Sequence, residues 1–566
     1  VTSIALGFIT LLGAAGAGQW LLTENTRRSP TAWAHAIGAG ILSWGLLGLP
    51  IGLLGLLTPT TCAAVLTISL LGLLGRRLSL PIGVAGGLML ATVALAPGIL
   101  DVMGPIIGAD ERYLHVGLPL QMLMENGLVG GVLHPNGSRP LTLQLAYTFV
   151  LSSGVEGAAA GLHWALSVAT LAFVVQLGRA HFDSTHVGLL AAAVLVTSMT
   201  FFTSIGQAAS DIPAALAVLL AMDAARRGDI RPGAIAGALA LSIKYTAAAP
   251  LLGILLCAAG GWPTRLKVSC LALAAVAPWW LRNIMEGHHA LFPFMGWPDP
   301  QVTFQYLAKY GAGRTTMDFL WLPWRMIFEA ETDSYRFLGR IHPYTLMLLG
   351  LAPLAWRSQR YRPWLLACAL GLCGWASGPH WLRYLIPTLP LLALTGAALA
   401  APVASTRLRK LALWAGLALG TGVGSEGVIT HLQQAHNGRK LAGQSAIDFC
   451  NQSLPSDARI AMLFAWSSAD IDRAQLLGSV EDHVPTRHFL LANTGRELDA
   501  LRETGATHVL VRHVTFLPSS YFFLDRSTFS SEFIDPIDNL NHALLMGADL
   551  LFRTPTHRVY RIGAPQ

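Results

Sequence analysis

Asp110-Glu111-Arg112-Tyr113-Leu114-His115, followed by Pro119, sets acidic, basic and proton-active side chains directly after an apolar run, Pro81 to Leu100. That run is about the length that crosses a bilayer, so the acidic pair falls at a membrane edge, in a surface loop or folded back between helices. A carboxylate there suits two kinds of chemistry: general base for a hydroxyl or amine, or ligand for a divalent ion that grips a phosphate. An ordinary solvated loop is the competing reading.

Ionisable residues at the ends of apolar spans are costly, and three more places carry them. Asp211, in Ser210-Asp211-Ile212-Pro213, opens a helix pattern in which an Asp before Pro also makes a good N-cap. Lys244, in Ile243-Lys244-Tyr245-Thr246, interrupts an apolar stretch and predicts two half-helices that meet at its ammonium. Pro278-Trp279-Trp280-Leu281-Arg282-Asn283 closes one span, and His380-Trp381-Leu382-Arg383-Tyr384-Leu385-Ile386-Pro387 opens another. Arginine suits a pair of phosphate oxygens, although an interfacial aromatic and cationic belt explains the same residues. His115, His134 and Arg139 share the first loop with the acidic pair.

The elements that must position these residues are membrane helices. Of 566 residues, 53% are hydrophobic and 12% charged, with mean hydropathy +0.51, which excludes an ordinary soluble protein. The net charge of +7 is spread between apolar segments rather than gathered into one basic run, so nucleic acid is not an expected partner. Six cysteines without paired metal-type spacing read as small core residues. The sequence carries no HExxH, CxxC, P-loop or serine-nucleophile motif to support a hydrolase or ATPase.

Apolar runs of spanning length predict about fourteen crossings. The first, Thr2 to Leu22, reads as a retained span rather than a signal peptide. If the Arg27-Arg28 loop is cytoplasmic, strict alternation also puts inside the loops bearing Arg76, Arg179, Arg226, Arg265, Arg357 and Arg407. The Asp110 loop, the Asp211 turn, Arg282 to His342 and the C-terminal region then lie outside. Three regions are expected: extra N-terminal spans over 1–80; a transmembrane core over 81–430 with outer loops 101–140 and 282–342; and a soluble α/β domain over 431–566. In that last region Ala458 to Phe464, His508 to Val511 and Leu551 to Ile562 read as strands.

The acidic pair with Tyr113 and His115, the Ser-Asp-Ile-Pro helix start, the Lys-Tyr-Thr break, the Pro-Trp-Trp-Leu-Arg-Asn turn and Arg-Tyr-Leu-Ile-Pro-Thr-Leu-Pro together resemble GT-C glycosyltransferases. The likeness runs from about Pro81 to Val403 and is to the bacterial protein O-mannosyltransferase and lipid A aminoarabinose transferase group. The chain departs from the pattern in having three spans before the usual first helix. The resemblance implies a polytopic helical membrane fold and an inverting sugar transfer from a polyprenyl-phosphate donor to a lipid, glycan or protein acceptor. It sets Asp110 at the position of the family's first-loop catalytic acid, and the charge alternation above then puts the transfer on the outer side of what is expected to be a bacterial inner membrane. The residue chemistry then casts Asp110 as base and Glu111 as helper or as ligand of a divalent Mg or Mn ion. Tyr113, His115, Arg139, Asp211, Lys244, Tyr245, Arg282, Arg383 and Tyr384 form the expected substrate-binding set. A transporter or flippase, or a non-catalytic subunit of a membrane complex, is the rival expectation.

Overall fold

A computed structural model describes residues 2–75, 87–88, 91–92, 94–103, 110–131, 133–292, 295, 312–330, 337, 339–345, 352–353, 355, 356–403, 444–463, 471–477, 489–490, 492–512, 539–540, 542–554 and 557–563. Its longer helices are α1 (Thr2–Gly18), α2 (Ala32–Leu53), α3 (Pro59–Leu71), α4 (Thr142–Leu151), α5 (Ala158–Phe182), α6 (Thr185–Val196), α7 (Asp211–Arg227) and α8 (Ile230–Ile243). They continue as α9 (Ala248–Leu256), α10 (Gly261–Met285), α11 (Thr316–Phe328), α12 (Arg362–Ser377), α13 (Leu389–Val403) and α14 (Gln444–Ser453). This is the expected polytopic helical membrane fold. Four helical stretches, Thr2–Leu21, α2, α5 and α10, are long and apolar enough to cross a membrane, and several others are shorter apolar helices. Short apolar helices persist because neighbours cover them: α4 and most of α7 are buried. The expected span Leu411 to Ile429 lies outside the described residues.

Backbone contact between helices explains the small residues of the first spans. A Cβ at Gly40 of α2 would overlap the carbonyl oxygen of Ala14 in α1, and one at Gly18 would overlap that of Ala36. Without side chains there, the two helices touch backbone to backbone, as close packing in lipid favours. Gly40→Ala must push them apart, and overpacking of this kind costs about 1–3 kcal/mol. Gly233→Ala in α8, where the nearest atom is 3.7 Å from the new Cβ, should be neutral or stabilising. Thermal unfolding in detergent of the two variants, expected to move in opposite directions, checks this.

One face of the bundle is held by a buried ionic knot. Asp223, near the end of α7, accepts from His35 Nε2 of α2 and His181 Nε2 of α5, each at 2.9 Å, and pairs with Arg227 at 2.9 Å. Asp211 opens the same helix, about 18 Å away at 1.5 Å per residue. Thus Asp211 and the α7 arginines mark opposite ends of the bundle.

Between α10 and α12 the expected polar connection contains α11. Its first turn is closed by a capping box between Thr315 and Asp318. It exposes Met317, Leu320, Trp321, Trp324 and Phe328 while burying Leu322, Met326 and Ile327.

The C-terminal region is α/β. Its strands β1 (Arg459–Leu463), β2 (Ala474–Leu476), β3 (His508–Arg512), β4 (Asp549–Arg553) and β5 (His557–Arg561) form one sheet in the order β2-β1-β3-β5-β4. The first three are parallel, and β5 runs antiparallel to both β3 and β4. This domain docks on the loop that continues from Asp110: Arg459 pairs with Glu125 at 3.1 Å, and the Leu477 N–H donates to the Leu133 carbonyl at 2.9 Å.

Candidate active site

Asp110 stands at the start of a π-helical turn, Glu111–Gly117, that runs into the short helix Leu118–Met124. Wide π turns are common at functional sites because they re-aim side chains relative to an α-helix. The two acids are aimed into different surroundings. Glu111 is buried, and its carboxylate accepts the Ala208 N–H at 2.7 Å. Asp110 keeps a third of its side chain exposed and is paired with the Arg383 guanidinium.

Arg383 reaches Asp110 from the 3-10 turn Leu382–Leu385, which leads towards α13. Its guanidinium lies 5.2 Å from the Tyr384 ring centroid and 5.7 Å from that of Trp381. Lys244 arrives from another direction. Helix α8 stops at Ile243, Lys244 is extended, and a short 3-10 turn restarts the chain into α9. This break gives the Lys244 ammonium two partners, the Asp211 carboxylate and the Tyr384 ring, whose centroid is 4.5 Å away. Tyr384 therefore faces both cations, an arrangement that cation–π attraction stabilises.

Asp211 does not act as a helix cap. The N-cap of α7 is Ser210, with no side-chain cap bond, while the Asp211 carboxylate is committed to Lys244. Asp110, at the edge of the bundle, has its carboxyl pushed up by burial. The opposing pull of Arg383, aided by Lys244, outweighs this and holds it below the usual carboxylate range. His115 is pushed down to about 3 by burial, so it is neutral at neutral pH. Its Nδ1 faces the Gln144 amide at 3.5 Å and its ring meets Tyr147 edge-on.

The structure thus brings Asp110, Asp211, Lys244, Arg383 and Tyr384 together, with His115 beside them. It does not bring Arg282 there. Arg282 is buried and donates to the carbonyls of Gly137 at 2.8 Å and Val129 at 3.1 Å and to Glu286 at 2.8 Å. These bonds fasten the outer loop to α10. Tyr245 accepts from Trp280 Nε1 at 3.0 Å, with Arg139 in electrostatic reach. Tyr113 is buried on the π turn.

Two residues that hold the site were not anticipated. His163 of α5 donates from Nε2 to the Ser204 carbonyl at 2.8 Å, and its Nδ1 accepts the Ala209 N–H at 3.3 Å. The Tyr147 hydroxyl donates to the Ala209 carbonyl at 2.8 Å. With Glu111 on Ala208, three separate elements grip the turn that delivers Asp211. Polar side chains inside otherwise apolar runs were the available signal.

The donor set does not fit a divalent ion. The carboxylates of Asp110 and Asp211 already face cationic side chains, Glu111 faces a backbone N–H, and among the described residues no three His, Cys, Asp or Glu side chains converge as metal ligands.

No family model and no curated protein matches the sequence. Solved structures do. ArnT from Cupriavidus metallidurans bound to undecaprenyl phosphate superposes with a TM-score of 0.52 at 14% identity, over 85% of this chain and 98% of that one. The same protein in the apo state gives 0.51 at 12% identity with the same coverage. The arabinofuranosyltransferase AftD from Mycobacteria gives 0.46 at 15% identity, over 84% of this chain and 40% of that one. The ArnT likeness is one of fold, and the chain shares that architecture across most of its length.

Proposed function

We propose that the protein is a membrane glycosyltransferase that moves a sugar from a polyprenyl-phosphate donor to an acceptor, with inversion, at the outer face of the membrane. The observation that carries this reading is the pair of carboxylate–cation contacts, Asp110 with Arg383 and Asp211 with Lys244, whose cations both lie close to the Tyr384 ring. Such a transfer needs a base on the acceptor and positive charge on the leaving phosphate. In the proposed step the acceptor hydroxyl or amine attacks the anomeric carbon, and its proton passes to Asp110. The bond from that carbon to the phosphate oxygen breaks, and the polyprenyl phosphate leaves with the electron pair, its charge met by Lys244 and Arg383. No nucleotide enters, because the lipid carries the activated sugar. Glu111, Tyr147 and His163 serve as positioning residues in this scheme.

Two further observations support the reading. The fold neighbour ArnT has been solved with undecaprenyl phosphate bound. The site lies at the end of α7 opposite Arg226 and Arg227, and an excess of arginine favours the cytoplasmic side, which supports an outward-facing site in this proposal.

An incoming phosphate must compete with Asp110 for Arg383. Charge-assisted hydrogen bonds contribute about 1.5–3 kcal/mol, so Arg383→Gln should weaken undecaprenyl phosphate binding to the purified protein about 10- to 100-fold. Equal affinity of the variant and the parent protein would remove the phosphate from this site.

A further inference from the structure

We propose that the end of the bundle opposite Asp110 carries a second lipid site, a pocket for the phosphate of an anionic glycerophospholipid built from Arg226, Arg265 and Arg362. The three arginines come from different helices: near the end of α7, the second turn of α10 and the first residue of α12. They converge on one turn, 257–259. The Ala259 N–H donates to the Ala225 carbonyl at 3.0 Å, which brings the end of α7 to the turn. Arg265 donates from Nε and Nη2 to the Ala258 carbonyl at 3.3 and 3.4 Å. Helices α9 and α12 pack antiparallel, since a side chain at Gly253 would meet the Ala367 backbone and one at Gly374 the Ala249 side chain. That register sets Arg362 level with the turn, and all three guanidinium groups act electrostatically on the Cys257 thiol.

Three like charges repel one another unless something answers them. Their neighbours on the same face are answered: Arg227 pairs with Asp223 and Asp229, and Arg360 with Asp183. Among the described residues no carboxylate pairs with Arg226, Arg265 or Arg362, and the Nε of Arg226 is buried without a hydrogen-bond partner. Helices α10 and α12 begin here while α7 and α9 end here, so the helix dipoles offset one another and the positive charge is that of the three arginines. The chemistry asked for is a phosphate. Beside it lies an apolar apron, with Leu252 and Leu256 of α9 and Trp262 and Leu266 of α10 all exposed. A basic pocket flanked by exposed leucines, with a tryptophan at the level of the headgroups, has the two halves of a phospholipid. The donor phosphate is not its occupant, because Arg226 is 15 residues along α7 from Asp211, on the order of 20 Å.

Thermal unfolding of the full chain in neutral detergent tests this, with phosphatidylglycerol, phosphatidylcholine or inorganic phosphate added. Phosphatidylglycerol should raise the unfolding temperature, and the other two at equal concentration should not. Arg226→Gln/Arg265→Gln/Arg362→Gln should abolish the rise, while Arg360→Gln, on the same face, should keep it. Arg362→Gln alone, exposed at a helix start and so not needed for folding, should weaken the apparent lipid affinity about fivefold. That single variant decides the matter if the triple variant does not fold. A full response in the triple or the Arg362 variant, an equal loss in Arg360→Gln, or a full shift with inorganic phosphate would each overturn the assignment.

Discussion

Asp110→Asn is expected to lower sugar transfer roughly a thousandfold, within the range that general bases contribute, while undecaprenyl phosphate, freed of its competitor for Arg383, binds at least as tightly as to the parent protein. The amide keeps the size of the side chain but cannot take the acceptor's proton. Folding should survive, because Asp110 and Arg383 are each a third exposed and a pair in contact with solvent adds little stability. The pH dependence carries the same signature. A base works only when ionised, and Arg383 holds Asp110 below the ordinary carboxylate range of about 4. The acid limb of kcat/KM should therefore lie below that range, with activity falling as the pH drops through it. Arg383→Gln removes the strongest lowering influence and leaves burial, which acts upward, so the limb should move to higher pH. An Asp110→Asn protein that transfers sugar at the parental rate would end the assignment of the base.

Much of the architecture was legible because charge is rare in this chain. A lysine between two apolar half-runs marks a break, and the break at Lys244 lies at the residue where the sequence put it. The sequence could not rank residues that give the same local signal. Arg282 and Arg383 both sit beside tryptophans at span ends, yet one caps carbonyls about 145 residues away and the other meets Asp110. Asp110 and Glu111 are adjacent, and only the π turn decides that one meets a guanidinium and the other a buried N–H. Asp211 before Pro213 has the pattern of a cap; its true partner is 33 residues further on. The three-residue strand β2 is too short for any alternation to show. α11 hides in a stretch where Trp and Pro suggest a loop, because its exposed apolar face needs a lipid surface to make sense.

Lys244 and Asp211 permit a separation of stability from chemistry. Both side chains are largely buried, with relative exposures of 16% and 7%. Lys244→Met leaves the Asp211 carboxylate without its cation, and breaking a buried pair from one side costs about 3–5 kcal/mol. Asp211→Asn should do comparable damage by stranding the ammonium. The double variant Lys244→Met/Asp211→Asn removes both charges, so its unfolding temperature should return most of the way to the parental value. Transfer should not return with it. If Lys244 meets the charge that develops on the leaving phosphate, its loss costs about 100- to 1,000-fold in kcat, as for other donors aimed at a transition-state oxygen. Unfolding curves and single-turnover rates on the three variants give the two readouts separately. A double variant that is both stable and active would make the pair a strut between α7 and the α8–α9 break, with the leaving phosphate met elsewhere.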